Sequence, residues 1–154
     1  MNIRKAEERD LSRIAEIEIF NYRLFFYPIF QNDRFYFEEL QVIAVLDEIR
    51  KKKESLFVYD DGTVKAFMQI KGKELKKLFV EPVLQGKAIG SAMISYAISE
   101  MGIRYLWALE KNGRAIKFYK THGFEISGEK KLEEGTTEYL IKLVLGQDAC
   151  SFPD

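Results

Sequence analysis

Residues 78–91 combine a short apolar strand, a proline and a small-residue loop that leads into a helix. They read Leu-Phe-Val-Glu-Pro-Val-Leu-Gln-Gly-Lys-Ala-Ile-Gly-Ser. A helix that begins directly after such a loop leaves its first N–H groups unpaired beside the positive end of the helix dipole. The loop therefore predicts a site for a phosphate or pyrophosphate, which glycine lets approach the main chain closely. The candidate ligand-binding residues are Gln85, Gly86, Lys87, Ala88, Ile89, Gly90 and Ser91.

Two common nucleotide sites do not fit this loop. It lacks the Gly-Lys-Ser/Thr ending of a Walker A loop, which disfavours a magnesium–nucleotide site. It also lacks the three glycines of a dinucleotide fingerprint, because only Gly86 and Gly90 fall nearby. Lys87 could add Coulomb attraction to a diphosphate, although a solvent-facing lysine would read the same.

A second cluster of candidate residues spans residues 112–124. Asn112 is a good N-cap residue, and Gly123 is a good residue for a left-handed helix stop. Between them an apolar side that includes Phe118 and Tyr119 predicts a short capped helix. The pattern alone is equally typical of an ordinary amphipathic helix with a core tyrosine.

The two clusters together resemble the GCN5-related N-acetyltransferase family. The Gln-Gly-Lys-Ala-Ile-Gly string is similar to its acyl-CoA signature, with Ala88 in place of the usual first glycine. The Asn112 to Phe124 segment is similar to its second conserved region. The resemblance covers residues 2–145 and implies acetyl-CoA as the acyl donor.

The family resemblance also implies roles for single residues. Asn112 would contact the pantetheine arm, and the Tyr119 hydroxyl would lie near the CoA sulfur as the general acid, since a phenol with a pKa of about 10 stays protonated at neutral pH. Phe79 and Val80 would present their main chain to the acetyl and pantetheine groups, where a splayed strand leaves N–H groups free.

The general base has three candidates. Glu74 precedes Val80 by six residues, so alternation along a strand points both side chains to the same face. In some relatives a glutamate at the corresponding position activates the amine through water. Glu81 is the rival on the opposite face, and ordered water is the third candidate. His122, the only histidine, complements a helix end rather than serving catalysis.

An aromatic stretch from Phe20 to Phe37 falls where the resembled family builds its acceptor site. Its rings could hold an amine, or form core and dimer contacts. Tyr22, Arg23 and Tyr27 are the candidate substrate-binding residues, and Arg23 would suit a carboxylate or phosphate. An exposed part of this stretch would suit a homodimer.

The elements that position these residues follow from periodicity and turn signals. They run β-α-α-β-β-β-α-β-α-β-β, with Asp10 as N-cap of the first helix and another helix over residues 38–52. This order predicts an α+β fold with a mixed sheet in a single domain over residues 1–154, of which residues 146–154 form a frayed tail.

Composition narrows the class of protein. The chain has 154 residues, 24 basic and 24 acidic side chains and one cysteine, Cys150. Zero net charge disfavours nucleic acid as a partner. No apolar run suits a membrane span or a signal segment, so we expect a cytoplasmic protein. His122 and Cys150 offer no metal-ligand spacing, so no metal is expected.

The sequence thus predicts an acetyl-CoA-dependent N-acetyltransferase in which a primary amine attacks the bound thioester directly. No cysteine or serine nucleophile motif suggests an acyl-enzyme. The acceptor could be a small amine or a peptide. An acyl-CoA-binding sensor without turnover and a nucleotide-binding regulator are the alternatives.

Overall fold

A computed structural model describes residues 2–146; the rest of the chain, which includes Cys150 and the expected tail beyond Gly146, lies outside the described residues. Its single sheet has seven strands in the order β1-β2-β3-β4-β5-β7-β6. All neighbouring pairs are antiparallel except β4 and β5. The strands are β1 Ile3–Lys5, β2 Leu56–Asp60, β3 Val64–Lys71, β4 Glu74–Val80, β5 Tyr105–Leu109, β6 Phe124–Leu132 and β7 Tyr139–Leu145.

Within residues 2–146, five α-helices flank the sheet. They are α1 Leu11–Asn21, α2 Tyr27–Phe30, α3 Val42–Lys51, α4 Ile89–Ser99 and α5 Gly113–Thr121. Apart from the short α2, this is the predicted element order, and the α+β fold class is confirmed. The helix expected over residues 38–52 begins only at Val42, because a wide π turn occupies Phe35–Glu39.

The aromatic stretch is helical, but it is not one regular helix. A π turn over Tyr22–Phe26 continues α1, and α2 follows until Gln31 adopts a left-handed conformation with φ 53°. Such wide turns are often found at functional sites. They place consecutive aromatic rings on several sides of the segment.

Asp10 does not cap α1, contrary to the prediction. Its carboxylate accepts hydrogen bonds from the Arg4 guanidinium at 2.8 and 3.0 Å and from the Glu7 N–H at 2.8 Å. Asp10 has helical dihedral angles, whereas a capping side chain needs an extended residue. It therefore ties β1 to the turn before α1.

The sheet separates two apolar cores. The core between the sheet and α4 and α5 contains Leu75, Val80, Ile89 and Met93. The core between the sheet and α1 and α3 is built on other residues, and Phe79 packs against it. Strand β4 thus contributes to both cores along its length.

Strands β4 and β5 separate soon after they meet. Their parallel pairing is limited to Glu74 with Tyr105 and Leu75 with Leu106. Beyond Leu75 the two strands diverge, and a cleft opens between them. None of the helices within residues 2–146 is long and apolar enough to cross a membrane.

Candidate functional site

Two cavities open along the cleft between β4 and β5. The first has a volume of about 430 Å³ and lies against the start of α4. The second has a volume of about 480 Å³ and lies between the π turn after α1 and the connection from β6 to β7. Both cavities are lined by Phe26, Leu78, Phe79, Asn112, Ala115 and Tyr119. These shared residues form the junction where a ligand in one cavity would meet a ligand in the other.

The register of β4 decides which main-chain groups face this cleft. The Glu81 N–H donates to the Lys65 carbonyl at 2.9 Å, and Val80 lies opposite Ala66. Val80 therefore occupies a non-hydrogen-bonded position in the ladder with β3, so its own N–H and C=O point toward the cleft.

Alternation then orients the remaining residues at the end of β4. Leu78, two residues earlier, points its N–H and C=O the same way, whereas those of Phe79 face β3. The expectation that Phe79 presents its main chain is corrected: Leu78 takes that place, and Phe79 lines both cavities with its ring.

The start of α4 provides main-chain donors to the first cavity. As the first turn of a helix, the N–H groups of Ile89, Gly90 and Ser91 have no acceptor within α4. Gly86 and Gly90 both line this cavity. A Cβ on Gly90 would lie 3.3 Å from Cζ of Phe118, so glycine allows α4 to pack closely on α5.

Ala88 precedes α4 in a left-handed conformation, with φ 67° and ψ 9°. Glycine adopts this region freely, but a residue with a Cβ is strained there by about 1 kcal/mol. Ala88 therefore adopts the conformation that glycine would adopt at this position, and the strain of its Cβ is the energetic cost.

Other loop residues differ in how they are exposed. Ile89 buries its side chain in the α4–α5 core and could contact a ligand only through its main chain. Lys87 is exposed and does not line the first cavity, whereas Ser91 does. The Ser91 hydroxyl lies 3.0 Å from Nε2 of His122, whose Nδ1 lies 2.9 Å from the Phe118 carbonyl.

Helix α5 begins and ends as predicted. The Asn112 side chain accepts a hydrogen bond from the Ala115 N–H at 3.3 Å, and Gly123 follows the helix with φ 94°. The Tyr119 ring packs edge-on against Phe118 and Phe124. Burial raises the pKa of Tyr119, so its hydroxyl stays protonated at neutral pH.

Glu74 lines the second cavity, but not on the strand face that alternation predicts. The register of β4 against β3 slips so that Lys76 has no partner, which marks a β-bulge. Leu75 and Val80 consequently share one core although they are five residues apart. The bulge turns Glu74 away from the Val80 face and toward the second cavity, where its carboxylate lies 3.7 Å from the Lys76 ammonium.

Of the three candidate substrate-binding residues, only Tyr22 lines a cavity. Burial raises its pKa to about 12. The Lys77 ammonium lies 5.5 Å from the centre of its ring and 2.6 Å from the buried Glu18 carboxylate. Burial alone would lower the pKa of Lys77, but Tyr22 and Glu18 outweigh it and hold that pKa above its ordinary value.

Arg23 and Tyr27 line neither cavity. The Arg23 guanidinium donates to the carbonyls of Tyr36 at 3.1 Å and Leu40 at 3.2 Å. It thus satisfies main-chain acceptors in and directly after the π turn at Phe35–Glu39. The Tyr27 hydroxyl donates to the Asp33 carboxylate at the surface. Both residues therefore stabilise the aromatic segment.

Several lining residues were not predicted from the sequence. Asn21, Phe25 and Arg114 line the first cavity; Lys77, Trp107 and Glu133 line the second. The Arg114 guanidinium lies 3.9 Å from the ring centre of Phe25. One signal was available: Asn21 follows Ile14 and Ile17 on the apolar stripe of α1, where a polar residue needs an explanation.

Comparison with known sequences identifies relatives of this chain. Residues 52–126 match the family model described as an acetyltransferase (GNAT) domain. The peptidyl-lysine N-acetyltransferase YjaB of Salmonella typhimurium is 27% identical over 88 residues, which cover 56% of this chain and 61% of YjaB. The matching protein from Escherichia coli is 28% identical over 68 residues, or 44% of this chain and 46% of its own length. The matches therefore span only part of these relatives.

Solved structures share the whole fold. Apo-form YjaB from Escherichia coli superposes with a TM-score of 0.71 and 21% identity, covering 92% of this chain and 95% of that one. The PaiA N-acetyltransferase from Thermoplasma acidophilum, determined in complex with coenzyme A, gives a TM-score of 0.64 at 20% identity and covers 91% and 96% of the two chains. Residues 52–126, just under half of the chain, are thus similar to an acetyltransferase (GNAT) domain, and the chain shares the fold of solved N-acetyltransferases.

Proposed function

We propose that this protein transfers an acetyl group from acetyl-CoA to a primary amine in a ternary complex. The observation that carries the proposal is the pair of cavities that meet at Tyr119. The first cavity would hold the donor, with its diphosphate at the start of α4 and its thioester beside β4. The second cavity would hold the acceptor amine.

The residues at the junction suit the proton transfers of this reaction. The amine nitrogen attacks the thioester carbon, the C–S bond breaks, and the CoA thiolate takes a proton. Tyr119 would supply that proton, because burial keeps its hydroxyl protonated. The cleft-facing N–H groups of Leu78 and Val80 are suited to stabilise the negative charge on the carbonyl oxygen.

Proton removal from the amine is assigned to Glu74 acting through water. Its carboxylate faces the second cavity, but five steps along the strand at about 3.3 Å each place Glu74 roughly 16 Å from Phe79. Direct transfer from an amine at the junction would therefore be too long. Glu81 is a weaker candidate, because its carboxylate pairs with the Arg13 guanidinium at 2.8 Å.

A lysine side chain of a peptide is the acceptor that we favour. Two relatives are named peptidyl-lysine N-acetyltransferases, and the second cavity is lined by Glu74, Glu133 and Glu134. Lysines of the chain also line it, and Lys77 and Lys131 lie over the rings of Tyr22 and Trp107. The support for a lysine acceptor is therefore the relatives' names together with these carboxylates, which attract a cationic side chain before it loses its proton.

Thiol release from acetyl-CoA, measured over a panel of amines, tests the proposal. The panel includes lysine-containing peptides, their acetyl-lysine counterparts as matched controls, polyamines and free amino acids. We expect release with lysine peptides and none with the blocked peptides. Binding of CoA without turnover on any amine would instead support a non-catalytic acyl-CoA-binding module. Stabilisation by ATP rather than acetyl-CoA would support a nucleotide-binding regulator.

A further inference from the structure

Asn21, the last residue of α1, is among the most deeply buried polar residues of the described chain, with 2% of its surface exposed. Its side-chain amide donates to the Ile17 carbonyl at 2.9 Å and to the Val80 carbonyl at 2.9 Å. Both amide protons are thus used, and Asn21 links the end of α1 to the end of β4. It also lines the first cavity.

Gln85 completes the same network. Its side-chain amide lies 3.3 Å from the Asn21 carbonyl oxygen and 3.2 Å from the Val80 carbonyl. The first residue of the small-residue loop is therefore bound to protein, and a contact of its side-chain NH2 group with a ligand would compete with these bonds.

The Val80 carbonyl is the key acceptor in this network. It points into the cleft, away from β3, where a continuous sheet would pair it with β5. A buried carbonyl without a partner costs free energy, which would favour closing the cleft or distorting the strand. Asn21 and Gln85 satisfy this carbonyl in place of β5.

We propose that Asn21 is a positioning residue that holds the end of β4 apart from β5 and thereby keeps the donor cleft open. Its amide donates to the Val80 carbonyl, and the Val80 N–H remains free to donate to a ligand oxygen. Through Gln85 it also fixes the loop before α4 relative to that strand. The inference rests on the proposed function only in naming CoA as the ligand.

Two variants test this role. Asn21→Leu has similar size but no amide, and Asn21→Asp keeps the shape while replacing the donor with an acceptor. The matched control is Asn2→Leu, which changes an exposed asparagine directly before β1. In folded Asn21→Leu we expect CoA affinity, measured by calorimetry, to fall about tenfold or more. The KM for acetyl-CoA should rise more than kcat falls.

Hydrogen exchange in the free protein provides a readout that does not need CoA. We expect the Phe79 amide, which pairs with β3, to exchange at least about tenfold faster in either Asn21 variant, while the Val58 amide in β2 is unchanged. Unchanged exchange at Phe79, or wild-type CoA affinity in a folded variant, would overturn the role of Asn21. If the wild type does not bind CoA, the proposed function fails, and exchange at Phe79 still decides about Asn21.

Discussion

At the scale of single residues, Tyr119 is the proposed proton donor for the leaving thiolate. It lines both cavities, and in the described chain no hydrogen bond ties its hydroxyl to another residue. Such a hydroxyl is available to a ligand at the junction. Asn112, by contrast, uses its side-chain oxygen to cap α5, and its side-chain N–H groups remain for a ligand.

Replacing Tyr119 with Phe removes the hydroxyl and keeps the ring. We expect turnover to fall well over tenfold, because general acid catalysis typically contributes about 10²–10⁴-fold. CoA affinity should remain nearly unchanged, since the ring contacts persist. Steady-state kinetics with a calorimetric Kd checks both, and unchanged turnover would remove Tyr119 from the mechanism.

Ala88 carries a second residue-scale prediction. Replacing it with Gly relieves the left-handed strain and should stabilise the protein by about 0.5–1 kcal/mol, after the extra entropy of glycine in the unfolded chain is counted. Ala92→Gly, at an exposed position inside α4, should destabilise by about 1 kcal/mol. Denaturant unfolding of both variants compares them, and destabilisation by Ala88→Gly would contradict the strain.

At the scale of elements, motif-bearing segments were predictable and irregular ones were not. The ends of α5 depend on local residue types, so Asn112 and Gly123 predict them from the sequence. The bulge at Lys76 leaves no such signal, because it arises from the register between β4 and β3. That single slip overturned the face predicted for Glu74.

The aromatic segment shows the same limit. Its composition marked a region that borders both cavities, but two π turns change the directions of its side chains in a way that the sequence does not predict. As a result Tyr22 reaches the cavity while Arg23 and Tyr27 do not. Lys77 of β4 and Glu133 after β6 also line the second cavity. These two segments are far apart in the sequence and come close together only in the folded chain.

The packing of α4 on α5 gives an element-scale prediction. Gly90→Val would place methyl groups against the Phe118 ring, where even a Cβ lies at 3.3 Å from Cζ. We expect a loss of about 1–3 kcal/mol in unfolding free energy and weaker CoA binding, because the start of α4 shifts. Gly113→Val, where an added Cβ meets nothing within 4 Å, is the control. Wild-type stability and affinity in Gly90→Val would refute the close packing.

At the scale of the whole molecule, stability should depend on pH through Asp10. The Arg4 hydrogen bonds hold the pKa of the Asp10 carboxyl below its usual value. The folded protein therefore binds fewer protons than the unfolded chain near pH 4. This contribution is fully present above the unfolded pKa of about 3.9 and is lost as pH falls through the folded pKa.

Asp10→Asn should lower the unfolding free energy by about 2 kcal/mol at pH 7, because the charged hydrogen bonds to Arg4 weaken. The difference from wild type should shrink as the pH falls below about 4. Urea unfolding between pH 7 and pH 3 measures it, with the exposed Asp47→Asn as control. A difference that stays constant over this range would contradict the role of the Asp10 charge.

The central claim is that the cleft between β4 and β5 holds the acyl donor. A crystal structure of the protein with CoA tests it most directly. The account predicts the diphosphate on the N–H groups at the start of α4, the pantetheine arm beside the main chain of Leu78 and Val80, and the sulfur near the Tyr119 hydroxyl. CoA bound elsewhere, or a cleft closed by pairing of Val80 with β5, would contradict it.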